Sequence, residues 1–455
     1  MALDGTGMRR PFDPPNAARP RTVDPLLFNG WVHAILRGKR LPPGKMSPPL
    51  DAIERADRNV LIEREKQLGP IFKGTAWGGA LWIYVFGLQR GRTLLRQHAD
   101  ALRPVTIDLE ALFPLGFMRQ MEGENHRRYR AELMRAVQTI DFEDASAALR
   151  TISANKLDEY VNANQTNADA SQTYRNALTE IATDFLMRLM LGVEPGDAMH
   201  TDLQVHYRTL GGTGMVWNIQ QRQKDAFGKI AEIVRDEAAR LDSGRPRRSS
   251  VLSRLVQQGP IDATMLGNVI YMIEMGRHDI AGLLRWLTWF AATHVEWLAQ
   301  ITRGGTDQVK LAQAFVQETL RLEQSERLVR TVKQSFGFEG FFFPRGAMVR
   351  VCVWEAHKSA GIFDQPFRFD PARFVDAFPA PDVYAPFGVD RHQCPFADFS
   401  VRLGSLFIQL LVERYEIGEA TGEAPVRGQY HWEPAAGFAP LLSPRSNAAA
   451  KAVAL

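Results

Sequence analysis

The feature that most narrows the choice of fold is the run from Asp262 to about Thr293. Apolar residues recur there at threes and fours: Leu266, Val269, Ile270, Ile273, Ile280, Leu283, Leu284, Leu287 and Phe290. Asp262 stands before the run as an N-cap, its carboxylate suited to the first free backbone N–H groups of a helix. At 1.5 Å per residue such a helix spans roughly 45–50 Å. Its nearly all-round apolarity demands packing on every side, so it is expected to run through the centre of the fold as a spine. A chain of 455 residues, 45% hydrophobic and 23% charged, has the material to surround it.

Charge and cysteine usage exclude several classes of function. The formal net charge is +4, and the basic residues are dispersed apart from short runs such as His126-Arg127-Arg128 and Arg245-Pro246-Arg247-Arg248. A nucleic-acid footprint needs basic side chains clustered along one face, and nothing of that kind is present. The chain has only 2 cysteines, Cys352 and Cys394, which rules out a disulfide framework and favours a reducing compartment. Cys352 lies in the apolar run Met348 to Trp354 and reads as a buried, inert thiol. The N-terminus lacks the apolar core of a signal peptide, and no window approaches about 18 uninterrupted apolar residues, so a cytoplasmic protein is expected.

Along the chain, residues 1–50 are rich in Pro, Gly and Arg and read as an extended arm, with one domain expected over 51–455. The alternation Ile71, Trp77, Leu81, Ile83, Val85 predicts short strands and a hairpin, then a helix ending near Ala99. From about Glu124 to Leu255 the period is helical, with a break at Gly192 and a long helix over about Asn218 to Leu241. A helix containing Glu318 and Arg321 precedes strand-like runs from Arg330 to Val353, and a last helix covers about Phe396 to Arg414.

The segment Phe387-Gly-Val-Asp-Arg-His-Gln-Cys394-Pro-Phe-Ala397 carries most of the chemistry. It sets a cysteine directly before a proline and a helix, where free N–H groups and the helix dipole favour negative charge and hence thiolate. Thiolate is the metal-binding form. A lone cysteine cannot build a zinc site but can serve as the single axial protein ligand of haem iron, although a buried cysteine at a helix start is the alternative on these grounds alone.

Phe387, His392, Cys394 and Ala397 stand where the haem-binding loop of the cytochrome P450 family has its signature, so the segment resembles that loop. Asp390 and Phe396 replace two of its usual glycines. Three further segments, in the family's order, resemble its other motifs. Glu318-Thr-Leu-Arg321 is similar to the Glu-x-x-Arg pair, and Phe369-Asp-Pro-Ala-Arg373-Phe374 to the segment whose Arg completes that buried triad. His126-Arg-Arg-Tyr-Arg130 is similar to the helix that holds haem propionates, its i,i+4 pair presenting two donors on one face. The resemblance implies a mainly α fold with a small β lobe, the cytochrome P450 fold. It also implies haem b as cofactor, Cys394 as iron ligand, and His126, Arg130, His392, Arg330 and Phe387 as cofactor-binding residues.

The long helix departs from the family. In the register Met275-Gly-Arg-His278-Asp279, His278 takes the place of the usual acid and Asp279 that of the usual alcohol. Either the two form a substitute proton relay, or dioxygen activation is bypassed, or one side chain faces solvent or the substrate. By the layout of the resembled family, Tyr271, Met272, Met275, Leu328, Val329, Phe438 and the stretch from Leu112 to Met118 are implied to face a mainly hydrophobic small molecule, with Arg277 and His278 as a polar handle. The leading expectation is a P450-type monooxygenase fed by a separate ferredoxin or flavodoxin docking near Arg127, Arg128 and Arg402. A peroxygenase, isomerase or dehydratase of the same fold, and a non-catalytic haem-binding carrier or sensor, are the alternatives.

Overall fold

The computed structural model describes residues 39–445 apart from 47, 76–79, 106–111, 113–115, 164–168, 212–218, 245–247, 324–327, 421–423, 428–431 and 436. Most of the expected N-terminal arm, Trp77 and the middle of the Leu112–Met118 stretch lie outside the described residues.

Helices α1 (Leu88–Gln97), α2 (Gly123–Gln138), α3 (Phe142–Asn162), α4 (Ala170–Leu191), α5 (His200–Gly211), α6 (Gln221–Asp242), α7 (Ala263–Thr293), α8 (Gln308–Glu323) and α9 (Ala397–Arg414) build the helical body. The expected spine is α7, 31 residues long. Asp262 caps it, accepting from the Met265 backbone N–H at 2.8 Å. It packs most extensively along α4 and also touches α5, α6, α8 and α9, which accounts for apolar residues on all its sides. The break after α4 is Gly192 at φ 76°, a left-handed C-cap that a side chain would strain.

Five of the strands gather in a smaller lobe. Strands β1 (Ile71–Thr75), β2 (Leu81–Val85), β3 (Leu102–Pro104), β4 (Leu328–Val332) and β5 (Met348–Val351) form one sheet in the order β1-β2-β5-β4-β3. The hairpin expected between Gly69 and Phe86 is the β1–β2 pair, Ile71 opposite Val85. In β4, period-2 alternation buries Leu328, Arg330 and Val332 on one face.

Two cores result, one between the helices and one under the sheet. The Cys394 loop lies where they meet: Phe387 and Phe396 pack on the helical core, while Ala385 and Val389 belong to the core of the sheet. Cys352 is fully buried, and burial pushes its thiol well above the ordinary range, in keeping with an inert residue.

Candidate functional site

The foundation of the site is a buried ion pair. Glu318 and Arg321, one turn apart on α8, are both wholly buried and meet in a two-pronged contact, Nε to Oε2 at 2.6 Å and Nη2 to Oε1 at 2.8 Å. Burying two charges is costly, and the remaining hydrogen-bonding capacity is used to offset it. Arg321 donates to the carbonyls of His357 at 2.8 Å, Pro366 at 2.6 Å and Arg368 at 3.1 Å. Glu318 accepts from the Asp370 N–H at 2.8 Å, with Arg373 Nε 3.5 Å away, so the expected triad assembles with Arg373 as its looser member.

This network reaches the cysteine loop through His357. Its carbonyl is held by Arg321 while its Nε2 accepts from the Ala385 N–H at 3.0 Å, and burial keeps its ring neutral. From Ala385 the loop closes on itself: Gly388 N–H donates to Ala385 at 3.2 Å, and Cys394 N–H to the Phe387 carbonyl at 3.0 Å. Gly388, at φ 98°, supplies the turn that needs a residue without Cβ. Asp390 and Phe396, which replace glycines of the resembled motif, are not at positive φ, so those replacements carry no backbone strain. Cys394, in no disulfide and partly exposed, stands three residues ahead of α9.

Cations gather around this sulfur. Arg130 on α2 is partly buried, and burial lowers its pKa while the neighbouring Cys394 and Asp390 raise it. His126, one turn earlier and almost wholly buried, lies against the ring of His392 with centroids 4.2 Å apart. Burial, then the positive neighbours His392, Arg130 and Arg391, push its pKa down to about 4, against a weaker upward pull from Asp390. His126 is therefore neutral near pH 7. The His392 Nε2 lies 3.1 Å from the Met121 carbonyl oxygen, and its buried Nδ1 stands 3.8 Å from the Asp390 carboxylate.

Arg330, expected to bind cofactor, meets a carboxylate of the cysteine loop. Its guanidinium on β4 is ion-paired to Asp390, which also accepts from the His392 backbone N–H at 2.9 Å. Burial would push the Asp390 carboxyl up, but His392 and Arg330 outweigh it and hold it well below the usual carboxylate range. Both side chains line a cavity of about 540 Å³ shared with Arg92, Arg96, Arg391 and His392. Asp390 was visible in the sequence as a departure from the loop pattern, but its partner lies 60 residues away.

On the other side, along α7, the charged residues diverge. Arg277 is buried and turned toward α5, donating to Glu274 at 3.0 Å and to the Tyr207 carbonyl at 3.0 Å. A Cβ on Gly211 would meet that guanidinium at 1.9 Å, so any side chain there would have to push Arg277 aside. Arg277 is thus committed to helix packing, and its expected part in a substrate handle is corrected. His278 lies with Nε2 3.3 Å from Glu274, a partner sequence reading missed although the i,i+4 spacing allows it.

Asp279 is exposed and continues the stripe of Tyr271 and Met275. Tyr271 lies against Phe117 in a tilted contact with centroids 4.4 Å apart, and Leu112 and Met275 pack around them. Burial pushes the Tyr271 hydroxyl up to about 12, with Arg119 pulling down and Asp279 and Glu274 pushing up. Arg119, which sequence reading did not single out, is therefore the cation of this apolar cluster.

The family description "Cytochrome P450" matches residues 298–431, the stretch that holds Glu318, Arg321, Arg373, Phe387 and Cys394. A cytochrome P450 135A1 of Mycobacterium tuberculosis is 28% identical over 282 residues, covering 56% of this chain and 62% of that relative, less than two thirds of its length. Abscisic acid 8'-hydroxylase 1 of Arabidopsis thaliana is 23% identical over 416 residues, 82% of this chain and 85% of that protein. Among solved structures, retinoic acid-bound cyanobacterial CYP120A1 aligns with a TM-score of 0.71 at 18% identity, over 90% of this chain and 100% of the other. A zebra fish cytochrome P450 with abiraterone aligns with a TM-score of 0.65 at 18% identity, over 85% and 99% of the two chains. The matched segment, the mainly helical fold with its small sheet lobe, and the cysteine loop held by the Glu318–Arg321 pair lead to one conclusion: residues 298–431 match the cytochrome P450 family, and the chain has the cytochrome P450 fold.

Proposed function

We propose that this protein is a haem-thiolate monooxygenase acting on a small, mainly apolar molecule, with Cys394 as the iron ligand and haem b as the cofactor. The family implies haem, and the residues fit it. One thiol outside any disulfide precedes a helix, a half-buried Arg130 stands beside it, and the His392 ring lies against His126 next to them. A cofactor that takes one thiolate ligand and carries two carboxylates would suit that donor set. When bound, haem would supply the oxidative chemistry of the family, with Cys394 as the residue that would hold its iron.

This chain's residues supply the rest. The Phe387 carbonyl holds the Cys394 N–H, and the helical and sheet cores clamp the loop from two sides. Phe117, Tyr271, Met275 and Leu112 offer an apolar wall, and Arg119 beside the Tyr271 hydroxyl offers a polar handle in place of Arg277. Asp279 is the acid able to exchange a proton with solvent from that wall. His278, held by Glu274, stands behind it.

The observation that carries this reading is the partly exposed Cys394 beside Arg130. The electron donor we propose is a separate ferredoxin or flavodoxin docking near the exposed Arg127, Arg128 and Arg402. Among the described residues no helix is long and apolar enough to cross a membrane, and we place the protein in the cytoplasm.

A second reading, a peroxygenase or isomerase of the same fold, is favoured by the acid that stands where the family usually has an alcohol. Purified protein with an NAD(P)H-driven redox chain is expected to oxidise an apolar substrate. Product with peroxide alone selects the second reading. A reduced carbon monoxide spectrum unchanged by Cys394→Ser would remove the basis of both.

A further inference from the structure

The Arg330–Asp390 pair joins two parts of the chain that packing alone already brings close. Alternation along β4 puts Arg330 on the same face as Leu328 and Val332, and Val389 of the cysteine loop belongs to the core that covers this face. The next residue, Asp390, meets the guanidinium, with only 9% of the Arg330 side chain and 16% of the Asp390 side chain exposed. Asp390 also accepts from the His392 N–H at 2.9 Å, and its own carbonyl accepts from Gln393 N–H at 3.0 Å. A carboxylate of the chain thus stands against the cation that sequence reading assigned to a carboxylate of haem. Arg330 spends its other terminal nitrogen on the Val329 carbonyl at 2.8 Å.

We propose that Arg330–Asp390 is an internal latch: Asp390 keeps Arg330 for itself, ties the cysteine loop to the sheet whether or not cofactor is bound, and leaves the haem propionates to His126 and Arg130. The inference rests on the haem reading only for its last clause. Asp390 is a positioning residue, acting on the iron ligand through the loop. A resident carboxylate is compatible with the fold because position 390 is not at positive φ, so an aspartate sits there without strain. Two anions sharing one guanidinium in a mostly buried place would repel each other, and Asp390 has the shorter tether.

The test is a double-mutant cycle with Asp390→Asn, Arg330→Gln and the two combined, read by thermal melting of the haem-free and haem-loaded proteins and by haem release to excess apomyoglobin. Each single variant strands one partner in a buried place, so each is expected to lower the melting temperature and to speed haem release about fivefold or more. The double variant is expected to return most of the way to wild type in all three readouts. Arg330→Lys, which keeps the charge, is expected to stay near wild type and serves if Arg330→Gln does not fold.

The latch is overturned if the double variant releases haem as fast as Arg330→Gln, or if Asp390→Asn holds haem more tightly than wild type. Either result would mean that Arg330 serves a propionate. Wild-type protein that takes up no haem would instead sink the proposed function, while coupling in the haem-free melts would still decide whether the latch exists.

Discussion

The two sides of the site are built by opposite rules. Below the cysteine, charges are paired, buried and relayed: Glu318 to Arg321, Arg321 to the His357 carbonyl, and His357 to Ala385 at the start of the loop. Above it, along α7, charges diverge: Arg277 goes to α5, His278 to Glu274, and Asp279 to the exposed edge of an apolar cluster. The difference teaches where rigidity is used. The sulfur must be held in one place, so its supports are polar groups fixed by several bonds each. The substrate side has to admit a molecule and exchange protons, so its polar groups are few and reachable.

That contrast breaks most sharply at Glu318. Glu318→Gln or Arg321→Ala strands a wholly buried charge and is expected to cost about 3–5 kcal/mol. The readout is a collapse of the melting temperature and of soluble yield. A variant that melts like wild type would mean the pair does not support the loop.

A step smaller is the pH dependence carried by His126. Its folded pKa is lowered to about 4, whereas in the unfolded chain it returns to about 6.5. Between those values the unfolded chain binds the extra proton, so stability is full above pH 6.5 and falls as pH drops toward 4, by up to about 3 kcal/mol. Urea melts of wild type and His126→Phe across that window measure it, and the variant is expected to show a flatter profile.

The smallest effect on stability, and the largest on turnover, is expected above the cysteine. Asp279→Asn should leave the melting temperature within the range of a surface change, about 0.5 kcal/mol. It should lower product formed per NAD(P)H consumed about tenfold or more if Asp279 exchanges protons for the reaction. His278→Gln, one contact further back, should cost less. Equal losses in the two variants, or a loss confined to stability, would erase the functional contrast between the two sides.

The elements were legible because they are local. The cap at Asp262, the period of the following helix and the stop at Gly192 each depend on a few neighbouring residues, and all three appear in the structure. The i,i+3 spacing of Glu318 and Arg321 was readable for the same reason, although only packing shows that both are wholly buried. The sequence could not show which carboxylate of this chain each cation meets: Arg277 pairs with Glu274 and Arg330 with Asp390.

By itself, then, the sequence determined the mainly helical architecture, the central helix and the cysteine that faces the end of α9, since periodicity, caps and a lone thiol before Pro395 are properties of short segments. Only the tertiary structure decided that Asp390 answers Arg330, that His126 lies on His392 and that Asp279 parts company with His278. Such pairings depend on which elements are brought within a few ångströms of one another, and a buried charge takes the nearest opposite charge that packing places beside it.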